Sequence, residues 1–369
     1  GDNDSDNRFT RAKAYLDQWL RDGVLVQDAE PSIYIYEQRF ERDGKRMVRG
    51  ITCAVKIHDY ADKVILPHEN TLAKPKSQLG RLIREARANL DCVYGLYADE
   101  HGALDDVMAR AMSRTPVADV HDKDGVRHIL WALSDPSEIA AIVDYMKDKP
   151  IAIADGHHRY ETALGYRDEM HEQSGGAGEL PSDYTLMTIA NVFQKDMTIF
   201  PTHRVLANIP AELLDNLNGK LSSLFESAPS SRESILSDMA RLGAIGVYRN
   251  GEARTLKLKA DPGSLLSGSE ASRKLELNVL HKLILEPALG IDDDKLRNQT
   301  HIIYTRSADE AMDLVGSGER QIAFLLNHIA VKSVLDVASA GEKMPQKATY
   351  FYPKLLSGLM LRLHETEAT

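Results

Sequence analysis

Ile151-Ala-Ile-Ala-Asp-Gly-His-His-Arg-Tyr-Glu-Thr-Ala-Leu164 is the stretch whose reading decides the fold. An apolar run ends at Asp155-Gly156, and helical spacing follows, with Tyr160, Ala163, Leu164 and Arg167 on related faces of one helix. The predicted unit is strand, tight turn, helix. Asp155 reads as a natural N-cap, and Gly156 permits a sharp turn or close approach by a ligand. His157, His158 and Arg159 then occupy the first helical turn. That end of a helix already presents backbone N–H groups and the positive pole of the dipole. Three potential cations there oppose helix stability unless a phosphate or carboxylate sits among them. The box reads as an anion site. The plainer reading of a single histidine here is a surface or hydrogen-bonded residue. A metal site is a further alternative, because Glu161 lies four residues from His157 and three from His158, spacings that share a helix face. Its ligands would include Asp155 or Glu161.

The 369 residues suffice for two or three domains, and 43% hydrophobic with 27% charged residues is ordinary for a globular chain. With 45 basic against 55 acidic residues, the net charge of −10 argues against non-specific nucleic-acid binding. A phosphate site must then be a local patch in an acidic protein. Cys53 and Cys92 fit no metal or redox spacing and read as free buried thiols. No apolar run approaches a membrane span and no signal peptide is seen, so the expectation is a cytoplasmic protein with no membrane partner.

Outward from the box, residues 1–7 read as a disordered acidic tail and residues 9–25 as an amphipathic helix with Ala12, Tyr15, Leu16 and Leu20 on one side. Residues 32–37 and 48–57 alternate as strands around a charged hairpin turn. A strand end at 64–66 leads into a helix running from Lys74 to about Leu90, and 93–98 is a further strand. Residues 117–120 and 128–133 form a second strand pair, and Pro136–Met146 a helix capped by Ser134 or Asp135. After a Gly-rich break at 174–178 comes a strand over 184–192. Beyond Ile209-Pro210, helices are expected over 211–225, 232–242, 274–289, 308–315 and 330–340, with strands at 244–249, 253–259, 302–305 and 321–326. This interleaving predicts an α+β fold with mixed sheets and flanking helices. The expected division is 1–208, an N-terminal α/β part carrying the box, and 209–369, a C-terminal α/β part whose Lys/aromatic segment returns to the site.

Three other clusters offer chemistry. Pro67-His68-Glu69-Asn70-Thr71 places a carboxylate beside an imidazole at a strand end, suited to general-base work or ligation of a cation, to substrate contact by His68 and Thr71, or simply to capping the next helix. Pro201-Thr202-His203-Arg204 supplies a hydroxyl, an imidazole and a guanidinium fork for a phosphate, or is a polar loop. Lys347-Ala-Thr349-Tyr-Phe-Tyr-Pro-Lys354 carries two lysines, one threonine and three aromatics that could close over a planar ring and its phosphates, or pack as a strand. Walker, dinucleotide-glycine, nucleophile-elbow and protein-kinase signatures are absent.

Together these boxes resemble the bacterial and archaeal family called domain of unknown function 1015, on Leu66-Pro-His-Glu-Asn-Thr71, Ala154-Asp-Gly-His-His-Arg-Tyr-Glu-Thr-Ala163, Pro201-Thr-His-Arg204 and Met344 to Lys354. The chain starts downstream of a Pro-Tyr-Asp box that family members usually carry, and Ala348 stands where the family tends to have Ser. Asp155-Gly-His-His-Arg159 before a helix is also similar to the phosphate-binding box of the ParB/sulfiredoxin superfamily, which includes a free-serine kinase. That similarity implies a ParB/sulfiredoxin-like core and a grip on nucleotide phosphates. It also implies a glutamate upstream of the box acting as base, a role that Glu69 matches loosely by order.

The leading expectation is a nucleotide-dependent phosphotransferase acting on a small hydroxy acid such as free serine, with ATP or ADP and Mg2+. His157, His158, Arg159 and the N–H groups after Gly156 would hold phosphates. Glu69 would take the hydroxyl proton, with Asp155 and His158 also in the catalytic set. Thr202, His203, Arg204, Lys347, Thr349 and Lys354 would complete the phosphate cradle. The alternatives are a phosphoester hydrolase with the same cradle, and a non-catalytic protein binding a nucleotide or phosphometabolite.

Overall fold

The computed structural model describes residues 2–3, 5–42, 44–69, 73–176, 178–345 and 347–364. The chain forms two compact units, one of Gly1–Met197 with Pro353–Thr369 and one of Thr198–Tyr352. Sequence reading put the division after residue 208. The observed division comes earlier, and the chain re-enters the first unit at Pro353.

Up to Met197, the described residues of the first unit form nine strands: β1 (Ile33–Glu41), β2 (Lys45–Lys56), β3 (Ile65–Leu66), β4 (Ala88–Asn89), β5 (Val93–Tyr97), β6 (Ala118–His121), β7 (Arg127–Leu133), β8 (Ile151–Asp155) and β9 (Tyr184–Asn191). All but β4 join one sheet in the order β3-β8-β5-β9-β2-β1-β7-β6. The pairs β3/β8 and β5/β9 are parallel, and the others are antiparallel. The sheet is therefore mixed, as the interleaved pattern implies. Every residue of β5 is buried, and so are the first four of β8, which explains their unbroken apolar runs. Between Tyr94 and Gly95 the register against β8 shifts, leaving Asp155 opposite Tyr94 at the strand end. Such bulges re-aim the chain beside functional sites.

Five helices accompany this sheet: α1 (Arg8–Arg21), α2 (Ala73–Ala86), α3 (Asp105–Met112), α4 (Pro136–Met146) and α5 (His157–Gln173). Asp135 caps α4 by accepting from the Ser137 and Glu138 amides, ahead of Pro136 in the first turn. The acidic leader is not loose near its end: Asn7 is buried and closes a capping box with Thr10 on α1. Tyr15, expected on the buried side of that helix, is instead exposed. Helix α5 buries His157, Tyr160, Ala163 and Tyr166, a three-residue stride along one face, and packs on α2, β5 and β9. α2 stops at Ala86, short of the expected Leu90. Arg87 adopts φ +48°, which breaks the helix and lets residues 88–89 become β4. β4 pairs with a C-terminal strand, Arg362–Leu363, and the His364 amide donates to the Arg87 carbonyl.

The second unit has a six-stranded sheet that includes His203–Leu206, Phe225–Ser230, Ile302–Thr305 and Ile322–Leu325. Its core is closed by the helices Ile235–Leu242 and Ala308–Gly316. The helix expected over 211–225 is two short helices, Ala211–Asp215 and Leu217–Leu221, followed by the strand from Phe225. The expected run 274–289 is interrupted by a wide turn at Leu280–Leu285 ahead of Pro287. A proline cannot donate to the ladder, and its ring displaces the preceding carbonyl.

Tyr160 is fully buried, and its hydroxyl both donates to the His58 carbonyl (2.7 Å) and accepts from the His58 amide (2.9 Å). Tyr160→Phe leaves both backbone groups short of a partner and should cost about 1–3 kcal/mol in urea unfolding, with the circular-dichroism spectrum retained.

Candidate functional site

The turn from β8 into α5 forms one wall of a cavity of about 500 Å³ in the first unit. Gly156, at φ +93°, is the N-cap of α5 and makes no side-chain cap bond. The N-cap thus falls one residue later than the Asp155 expected from sequence. Asp155 ends the strand, and its Oδ1 accepts from the Gly156 amide at 2.8 Å. A Cβ at Gly156 would meet Arg159 Nε at 3.0 Å, so glycine is needed both for the dihedral and for the guanidinium folded over it. The first-turn N–H groups of a helix have no acceptor within the helix, and here that turn lines the cavity.

Asp155 Oδ2 accepts from Lys354 Nζ at 2.8 Å, joining the re-entrant C-terminal segment to the turn. Burial works to raise the Asp155 carboxyl, but Lys354, Arg159 and the Gly156 N–H outweigh it and hold it below the ordinary carboxylate value. Arg159 Nη1 reaches Asp91 Oδ2 at 2.8 Å and the Cys92 carbonyl, while Nη2 stands 4.0 Å from Asp155 Oδ2. Glu69 and Asp91 are both on the cavity lining, with His157 and His158. Glu161 pairs with Lys76, and among the described residues no group of three His, Cys, Asp or Glu side chains could hold a metal ion. Cys53 and Cys92 are free, with burial pushing both thiols up to about 12.

His157 and His68 are clasped together. The His68 amide donates to His157 Nε2 (3.2 Å), His68 Nδ1 bonds the Ile153 carbonyl (2.6 Å), and the two rings meet edge-on at 4.6 Å. His157 Nε2 is an acceptor here and carries no proton. Both histidines are buried, and together they fix the segment that carries Glu69 against β8. Burial pushes His68 down to about 4, despite the Ile153 carbonyl and Asp155 working the other way.

Of the residues singled out from sequence, Glu69, Asp155, Gly156, His157, His158 and Arg159 line this one cavity. Lys354 bonds to it through Asp155, and His68 through His157. Thr71 lies outside the described residues. Thr202, His203, Arg204, Lys347 and Thr349 belong to the second unit. Arg204 there is fully buried, donating to the Thr202 and Lys347 carbonyls, with its guanidinium 5.2 Å from the Tyr304 ring centroid. His203 Nδ1 accepts from the Leu326 amide, and burial with Arg204 and His328 nearby pushes the ring down to about 4. Two parts of the lining carry no signal in the sequence: the less polar wall of Leu79, Leu82 and Ile83 of α2 with Asn89 of β4 and Thr185 of β9, and Asp91, which answers Arg159. Residues 88–90 fall inside the apolar spacing of an apparent helix, with no glycine or proline to mark its end.

A family model described as "Protein of unknown function (DUF1015)" matches residues 1–283. The chain belongs to this family. No curated protein matches it. Among solved structures it is similar to a conserved hypothetical protein from Pyrococcus furiosus, at 12% identity and TM-score 0.39 over 84% of this chain and 93% of that one. It is similar to a free serine kinase in complex with AMP, at 13% identity and TM-score 0.40 over 88% and 91%. SbnI with C-terminal truncation from Staphylococcus aureus gives 12% identity and TM-score 0.41 over 85% and 87%. At such scores the likeness carries no functional weight. Among the described residues, no helix is long and apolar enough to cross a membrane.

His68 stays neutral in the folded protein down to about 4, whereas the ordinary value is 6.5. Between those values the unfolded chain binds a proton that the folded one refuses, so stability falls as pH drops through that window. Chemical denaturation at a series of pH values should show this loss, and His68→Gln should make it shallower.

Proposed function

We propose that this protein is a nucleotide-dependent phosphotransferase acting on a small hydroxy acid such as free serine. The observation that carries the reading is one cavity holding the start of α5, His158, Arg159 and, on the same lining, Glu69. A helix start flanked by an imidazole and a guanidinium favours a multiply charged phosphate, and a carboxylate nearby can accept the proton of an attacking hydroxyl. The acceptor oxygen forms its bond to phosphorus as the bridging P–O bond breaks. Glu69 takes the hydroxyl proton, and the charge left on the nucleotide oxygen is met by the α5 N–H groups, His158 and Arg159. Mg2+ bound with a nucleotide would supply neutralising charge to its phosphates. Such an ion would need only one or two carboxylates beside phosphate oxygens, and Asp155 would offer one while Glu69 serves as the base. The serine acceptor rests on the likeness of the Asp155–Arg159 box to that of a free-serine kinase.

A screen of small hydroxy acids with ADP and ATP as donors tests the proposal. Serine-dependent nucleotide turnover is expected, with Glu69→Gln lowering kcat at least a hundredfold while nucleotide binding stays within a few-fold. Phosphate release from phosphoserine without nucleotide would replace the reading by a hydrolase, and binding without any turnover would replace it by a sensor.

The Arg159–Asp91 pair adds a second prediction. A phosphate must compete with Asp91 for the guanidinium, so Asp91→Asn should tighten pyrophosphate binding several-fold in calorimetry.

A further inference from the structure

Part of the cavity lining is unlike the charged part. Leu79, Leu82, Ile83, Ala88 and Leu90 give it an apolar surface, broken by three polar side chains, Asn89, Thr162 and Thr185. All three belong to buried residues, Asn89 at 7% exposure, Thr162 at 9% and Thr185 at 2%. Thr162 Oγ1 has no hydrogen-bond partner among the described residues. A threonine inside a helix commonly bonds the carbonyl four residues back, and this one does not. Asn89 Oδ1 is taken by the Leu186 amide at 3.1 Å, which fixes the side-chain amide and leaves its NH2 as a donor on the cavity lining. A buried polar group without a partner is costly and calls for a missing one.

From this juxtaposition we infer a nucleobase subsite, with Asn89, Thr162 and Thr185 as its specificity-determining residues; the inference rests on the phosphate reading above. An acyl chain would leave the hydroxyls and the amide unanswered. A sugar would set its own hydroxyls against leucine and isoleucine. A heteroaromatic ring is apolar on its faces and polar at its edge, and it satisfies both kinds of wall. Its edge must present an acceptor to the Asn89 NH2. A volume of about 500 Å³ accommodates a base, a sugar and its phosphates together.

Calorimetry on the full chain with AMP, ribose 5-phosphate and inorganic pyrophosphate tests this. AMP should bind at least tenfold more tightly than ribose 5-phosphate, which lacks only the base. Thr162→Val should weaken AMP about tenfold, the worth of one hydrogen bond. It should leave pyrophosphate affinity unchanged and the melting temperature equal or higher, and Thr162→Ser should restore AMP binding. A merely structural Thr162 would instead lower the melting temperature without separating AMP from pyrophosphate. Equal affinity for AMP and ribose 5-phosphate, with pyrophosphate still bound, overturns the base subsite and spares the phosphate reading. No heat with any of the three overturns both.

Discussion

The ion pair between Asp155 and Lys354 is the contact on which the arrangement of the site depends. Asp155 stands where a buried strand gives way to a helix, and its two carboxylate oxygens serve different masters: one takes the Gly156 amide and the other the Lys354 ammonium. The first bond shapes the turn, and the second anchors a segment nearly two hundred residues away in sequence. That segment runs on to pair with β4, the strand that ends α2 and supplies Asn89 to the cavity. One carboxylate thus links the anion-facing turn to the wall of different chemistry. Because Lys354 and Arg159 hold it ionised against the pull of burial, the link persists at any pH where the protein is folded and its carboxylates are charged.

The cavity is not a simple basic pocket. Arg159 is already answered by Asp91 and Lys354 by Asp155, so the positive charge of the box is balanced within the unit. An overall charge of −10 makes that balance understandable, since an uncompensated cluster of cations in a half-buried turn would weaken the helix that follows it. Ligand binding here is an exchange of partners, in which phosphate oxygens replace a carboxylate. Such sites favour anions that make several bonds at once over single charges.

The imidazoles of the boxes singled out from sequence are of two kinds. His68 and His157 are buried and spend their nitrogens on backbone groups, so they hold the Glu69 segment beside β8 as a clasp. His203 in the second unit is used the same way, accepting from the Leu326 amide. His158 is half-buried on the cavity lining and keeps a side chain suited to proton or phosphate chemistry. Adjacent identical residues therefore have different work, because successive positions on a helix point about 100° apart.

How much of this was legible in the linear chain follows from the range of each signal. The turn at Asp155-Gly156, the α5 stride through Tyr160 and Ala163, the β1/β2 hairpin and a cap at Ser134 or Asp135 are local matters of spacing, glycine and side-chain reach, and sequence alone determined them, together with the mixed-sheet class; the structure chose Asp135. The end of α2 was not legible, since Arg87 enters the left-handed region without glycine's help and is held there by contacts that include the distant His364 amide. Nor did residue type separate His157 from His158, or show Asp91 on Arg159. The tertiary structure alone decided which boxes share a cavity and which, like Thr202–Arg204, belong to another unit, because those outcomes depend on contacts between residues scores of positions apart. Local propensity carries no record of such distances.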